Sequence, residues 1–403
     1  MTRRKAVFAV TSALATGPSL LAQEPPCGPG SGMPFLTTSR HGGAILSWLE
    51  PLTTDRYSLR AARWQNGTWS SPREIATGNN WFINWADFPG IIEMESGTLL
   101  AHWLDRVGKG AYGYGIRVAR AENWTAKWTE TFFAPPNDPK DYSGFLSFAT
   151  TSKGAAAVYL APPPSDSAAT PAATNHSDHS SGEAEHRKTL RCVQFDSAGH
   201  PNGDEELDSD TCSCCQTTLT NTPDGLVVAY RDHLPGEIRD ISFVRQNGGR
   251  WTTPDPVHRD GWVINGCPTD GPSLASHANL VGAAWLTRAA ATAKVQLAIS
   301  THSKAPFGTP LRLDEGNPMG RPCAVMLGHD FLVSWLEKTT SGAEIRLRRV
   351  TPAGTLKASV AVAKVPASRT TGFPRLTVAG DRILVAWRDG QVRLASLDAA
   401  SVA

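Results

Sequence analysis

The sequence predicts an all-β chain, a seven-bladed β-propeller of four-stranded antiparallel blades, on three observations. An aromatic residue set between a small residue and Leu or Arg recurs seven times. Most copies follow a short apolar run opened by Gly or Pro. No 3.6-residue hydrophobic period appears between copies, so a helical solenoid is excluded. Length alone, 403 residues, would suggest two or three domains, but the repeat overrides that prior.

The seven aromatics are Trp48, Trp103, Tyr159, Tyr230, Trp285, Trp335 and Trp387, separated by 55, 56, 71, 55, 50 and 52 residues. An acid often follows two residues on, as in Trp48-Leu49-Glu50, Trp103-Leu104-Asp105 and Trp335-Leu336-Glu337. Ahead of each copy an innermost strand is expected, as at Gly271-Pro272-Ser273-Leu274 and Gly320-Arg321-Pro322-Cys323. Behind it comes a third strand, marked by Ile116-Arg117, Ile238-Arg239 or Ile345-Arg346, and then a fourth such as Trp251 to Val257. Four short strands per unit of roughly 50 residues is the pattern of a propeller blade. The last unit offers only three strands, so a segment of the N-terminal lead, residues 24–33, is expected to supply the fourth and close the ring. The propeller itself is placed at 34–398, with the lead at 23–33.

Two turns between third and fourth strands read Asn66-Gly67-Thr68-Trp69 and Asn247-Gly248-Gly249-Arg250-Trp251. These resemble degenerate Asp-box turns, and with the blade order they make the chain similar to the sialidase-like (BNR-repeat) propeller superfamily. The box's Ser and Asp are missing from both copies, and the Arg-Ile-Pro segment of sialidases is absent, where six blades would also be usual. The resemblance implies the fold, while the activity does not follow from it.

Thr2-Arg3-Arg4-Lys5, the apolar run Ala6 to Leu14 and the small residue at Ala22 form the order of an export signal, placed at 1–22. A periplasmic or secreted protein is therefore expected. Basic and acidic residues nearly balance, 39 against 37, which argues against a nucleic-acid partner. No later run is long and apolar enough to span a membrane.

Candidate chemistry concentrates at Cys212-Ser213-Cys214-Cys215 and Cys267-Pro268. Superposing Tyr230 on Trp285 sets Cys212 on Cys267 without a gap. Both then lie where the chain crosses into an innermost strand, one blade apart. Arg231 and Asp232 end the second strand of that blade, and Arg239 and Asp240 begin its third, so all should converge on one wall of the channel mouth. The long third interval holds an insertion at 161–187 whose His176, His179 and His186, among acids, would overhang the same mouth.

Three readings of the cysteines stand open. Cys212 or Cys214 could be disulfide-bonded to Cys267, stapling adjacent blades in an oxidising compartment. The thiolates of Cys212, Cys214, Cys215 and Cys267 could bind a soft ion, copper fitting better than zinc, with the three histidines as a collecting tether. A thiol–disulfide pair could do redox work. Seven cysteines leave at least one unpaired in the chain, and Cys192 and Cys323 fall within strands while Cys27 precedes them all.

A different activity is open to the acids Glu50, Asp105, Asp232, Glu337 and Asp389 with Arg231 and Arg388. Paired carboxylates on a polar channel suit glycan hydrolysis or lysis, and Asp87, Tyr112, Tyr114, Asp141 and Tyr142 share that face. Acids and arginines at equivalent places in every blade are, however, common inter-blade braces. A non-catalytic scaffold for another exported protein is the remaining alternative.

Overall fold

The computed structural model describes residues 20–108, 112–138, 140–164, 187–302 and 304–402. Among these, seven antiparallel sheets form a ring, each stepping outward from the channel. Blade one is Gly32–Thr38, Ala44–Pro51, Tyr57–Gln65 and an outer edge split into Thr68–Trp69 and Arg73–Gly78. Blade four is Thr218–Thr222, Gly225–Arg231, Ile241–Asn247 and a similarly split edge, Arg250–Trp251 and Asp255–Pro256. The splits sit where the Asn-Gly turns were singled out. Asn66 and Gly67 have φ of 51° and 83°, the left-handed pair that a two-residue hairpin of matching twist demands.

The ring closes with a strand from the other end of the chain. Leu20–Gln23 pairs antiparallel with Gln391–Asp398, with Leu20 opposite Leu397 and Gln23 opposite Leu394. The closing strand is thus Leu20–Gln23 and not the expected 24–33, and three of its four residues fall within the segment 1–22 read as an export signal. An unpaired edge on the last blade is avoided.

The repeated aromatic is the inter-blade core. Trp48, Trp285 and Trp335 are fully buried, and each belongs to a cluster drawn from two neighbouring blades. Burying an indole buries its N–H as well, and that donor needs an acceptor. Trp48 Nε1 donates to Glu50 Oε2 at 3.0 Å, and Trp335 Nε1 to Glu337 Oε2 at 2.7 Å. Trp285 uses Asp260 Oδ2 at 2.7 Å, and Tyr159 donates to Asp204 Oδ2 at 2.8 Å. In Trp48-Leu49-Glu50 and Trp335-Leu336-Glu337 the acid satisfies the polar tip of the aromatic two residues earlier on the same side of the strand.

Cys192 and Cys323 are buried in the strands Lys188–Asp196 and Pro318–Leu327. Cys27 is half-buried against the packing between blades one and seven, where burial pushes its thiol pKa up. No helix among the described residues is long and apolar enough to cross a membrane.

Candidate functional site at the channel mouth

The cysteines stand on two successive inter-blade crossings. Cys212 follows directly on Pro201–Thr211, the outer strand of blade three, and its N–H donates to the Arg231 carbonyl at 3.2 Å. Cys215 ends the cluster just before the innermost strand Thr218–Thr222. Cys267 lies on the next crossing, ahead of Ser273–His277. The circular symmetry brings the two crossings together, as the alignment of the repeats requires. Cys214 and Cys267 are joined in a disulfide with Cα atoms 6.0 Å apart, so one of the two blade-stapling pairings is the one formed.

Behind that bond lie two free thiols. Cys212 Sγ is 3.5 Å from Cys215 Sγ and 3.9 Å from Cys214 Sγ, and all three sulfurs fall within 4.8 Å of one another. Cys212 and Cys215 are buried, whereas Cys267 is exposed at the mouth. The hydrogen bond between the two thiols holds the pKa of Cys212 below its ordinary value, aided by the Cys214 N–H and the charges of Arg231 and Arg239. Burial, and the same hydrogen bond, push Cys215 up. The Asp270 N–H donates to Cys215 Sγ at 3.4 Å.

Arg231, Asp232, Arg239 and Asp240 are all buried, and the charges of Arg231 and Arg239 act on this cluster. The Arg231 guanidinium is directed at main chain: it donates to the carbonyls of Asp270 at 2.8 and 3.0 Å, Leu286 at 2.8 Å and Arg239 at 2.5 Å, with Trp262 against its face at 4.7 Å. Arg239 donates to Glu237 Oε2 at 2.8 Å, and its N–H to the Trp262 carbonyl. Asp240 accepts the N–H groups of Gly261 and Trp262 at 2.8 and 2.9 Å, fixing the loop that carries Trp262. Asp232 accepts from Ser242 Oγ at 2.6 Å and from the His233 N–H, and burial raises its carboxyl to about 6. Arg231 thus ties the crossing that bears Cys267 to blade four, while Asp232, Arg239 and Asp240 order blade four and the loop that carries Trp262.

The acid ring is dispersed in the same way. Glu50 and Glu337 serve the indoles, and Asp105 pairs with Arg117 at 2.6 Å. Asp389 sits at the hairpin to Gln391, while Arg388 packs against Gly32. His176, His179 and His186 lie outside the described residues.

A second cluster adjoins the mouth. The rings of Phe82, Tyr114 and Tyr142 stack in series at 4.0 and 4.9 Å, with exposed Tyr112 beyond Phe82. Lys188 has a fully buried side chain, ion-paired with Asp141, donating to the Tyr142 carbonyl at 2.6 Å and lying 3.7 Å over the Tyr142 ring. The Tyr142 hydroxyl donates to the Ser213 carbonyl, so this cluster grips the cysteine crossing from the blade-three side. Burial lowers the Lys188 pKa to about 8. Lys188, Asp270 and Trp262 were not singled out in the sequence. Asp270 was within reach of such reasoning, being three residues past Cys267, but a lone Lys after a polar insertion carries no signal.

Tyr114 also donates to Asp87 Oδ2 at 3.0 Å. Asp87 lines a central cavity of about 220 Å³, and burial raises its carboxyl to about 7. Between about pH 4 and pH 7 the folded state therefore holds a proton that the unfolded chain has lost, so this residue's contribution to stability declines as pH rises through that window. The span corresponds to on the order of 4 kcal/mol. Asp87→Asn should remove that decline, and urea unfolding at pH 5 and pH 8 should show the variant losing a few kcal/mol less than the parent across the interval. Equal losses in the two proteins would refute the shift.

No protein-family model and no curated protein matches the chain. Solved structures do resemble it. An ulvan lyase, a polysaccharide lyase, superposes with a TM-score of 0.55 at 11% identity, over 93% of this chain and 95% of that one. An α-L-arabinofuranosidase from Fusarium graminearum gives 0.49 at 10% identity, over 96% and 99%. A Hadza microbial sialidase gives 0.45 at 10% identity, over 93% of this chain but only 66% of that one. At such identities the likeness is one of architecture alone, that of a β-propeller.

Proposed function

We propose that this chain is an exported propeller whose mouth holds a soft cation, copper(I) ahead of zinc, on Cys212, Cys214, Cys215 and Cys267 when these are reduced, for metal handling or metal-dependent redox work. The observation that carries the proposal is the sulfur spacing, 3.5 Å from Cys212 to Cys215 and 3.9 Å to Cys214. Sulfurs at about 2.3 Å from a tetrahedral ion stand about 3.8 Å apart, and about 4.0 Å apart around a trigonal one. Thiolates select soft ions over hard ones, and the charges of Arg231 and Arg239 offset those of a polythiolate centre. His176, His179 and His186 would deliver the ion from the insertion.

Reduced protein, kept anaerobic and titrated with copper(I) against a chromophoric chelator, should take up one ion per chain, and Cys212→Ser should weaken the uptake. If neither copper nor zinc is retained and Cys214→Ser leaves the reduced protein's behaviour unchanged, the proposal fails.

A second reading is favoured by Asp87 and Tyr114. A carboxyl held near neutrality on the channel wall and hydrogen-bonded to a phenol is a proton-transfer pair suited to glycan hydrolysis or lysis. The glycan-active neighbours share only the architecture. A panel of acidic and neutral glycans tests this reading. Turnover abolished by Asp87→Asn or Asp232→Asn supports it, and no turnover on any glycan counts against it.

A further inference from the structure

The two thiols behind the Cys214–Cys267 bond have a use that requires no metal. A disulfide that is exposed on one side and touched by a thiol on the other can pass electrons between solvent and interior. Here Cys267 opens onto a mouth pocket of about 340 Å³ bordered by Trp85, Trp262, Asp270, Arg288 and Arg321. On the other side, Cys212 Sγ lies 3.9 Å from Cys214 Sγ, and Cys215 Sγ lies 3.5 Å from Cys212 Sγ. A disulfide bond is about 2.05 Å long, so each new bond asks one sulfur to move by less than about 2 Å, within the reach of a side-chain rotation and without moving the braced crossings.

We propose that the four cysteines form a relay that moves the disulfide from the mouth to the interior and so presents a dithiol, Cys214 and Cys267, to a low-molecular-weight disulfide in the mouth pocket. In the first step Cys212, giving up its proton, attacks Cys214 Sγ; the Cys212–Cys214 bond forms, the Cys214–Cys267 bond breaks, and Cys267 leaves with the electron pair and takes the proton. In the second step Cys215 attacks Cys212 in the same manner, and Cys214 leaves as a thiol. The chain has then neither gained nor lost electrons, having exchanged an outer disulfide for an inner one. Cys267 next attacks the small disulfide, releasing one thiol, and Cys214 resolves the mixed disulfide, releasing the second. The ligand is reduced by two electrons, and the chain, oxidised by two, ends with Cys212–Cys215 and Cys214–Cys267 both bonded.

The relay is independent of metal binding, and its test is run with a chelator present so that the two ideas fail separately. Native protein carrying the single disulfide is mixed with the aromatic disulfide 5,5′-dithiobis(2-nitrobenzoate), and the products are mapped by peptide mass. From this cluster the parent protein should release two equivalents of aryl thiol and finish with both disulfides. In Cys215→Ser the relay stops halfway, so Cys212–Cys214 should be bonded and the aryl adduct should sit on Cys267, with one equivalent released. An adduct on Cys212 would mean that the reagent reaches the buried thiol directly, and would overturn the proposal. A parent protein whose Cys212 and Cys215 stay as thiols would overturn it as well, whatever the variant does.

Discussion

Replacing Arg231 with Met should cost roughly 4 kcal/mol of folding stability, although the residue sits in the wall of a channel mouth. The residue is 2% exposed, and its guanidinium reaches three carbonyls, those of Asp270, Leu286 and Arg239. Hydrogen bonds from a charged donor contribute about 1.5–3 kcal/mol each, and carbonyls left dry without a donor add their own penalty. Trp262 would lose its cationic neighbour as well. Lysine should rescue little, because one ammonium cannot match a planar fork aimed at three acceptors. Urea unfolding of both variants checks this. A variant that keeps the parent's midpoint and merely loses a catalytic activity would assign Arg231 to chemistry instead of architecture.

The second large effect belongs to the crosslink. Cys214 and Cys267 are 53 residues apart and tie blade four's entry to blade five's. Closing a loop of that length removes chain entropy equivalent to about 4 kcal/mol in the simplest treatment, and natural bridges commonly deliver 2–4 kcal/mol. Cys267→Ser should therefore lower the stability of the oxidised protein by about 3 kcal/mol, and reductant should lower the parent by a similar amount while leaving the variant unmoved. The control is internal, since Cys192 and Cys323 are buried and take no part in the bridge. If reductant leaves the parent's unfolding midpoint where it was, the bridge contributes nothing and the blades are held by packing alone.

These two residues also mark how far the sequence could be read. The ring was legible because its core is periodic: a large aromatic in every blade must bury its apolar face against a neighbouring blade, and in two blades the acid two residues later takes its polar tip. The meeting of Cys212, Cys214 and Cys215 with Cys267 was legible for the same reason, since equal positions in successive blades face one channel. Which cysteine bonds to Cys267 was not, because Cys212 and Cys214 differ only in a side-chain direction set by the crossing. The role of Arg231 was hidden more deeply. Its partners are backbone carbonyls on other segments, and a carbonyl leaves no trace in residue identity. Lys188 was hidden likewise, its burial depending on Tyr142 and Asp141 from a neighbouring stretch. The closing strand Leu20–Gln23 was missed by a few residues because Leu-Leu-Ala reads equally as the tail of an apolar export signal.

The proposed function rests on four sulfurs on two crossings forming one soft-metal centre. X-ray absorption at the copper edge, on anaerobically reduced protein loaded with one equivalent of copper(I), tests it most directly. The account predicts a first shell of sulfur alone, contracting in sulfur count when Cys212 is replaced by Ser. A shell of nitrogen or oxygen, or a sulfur shell indifferent to Cys212, would contradict it.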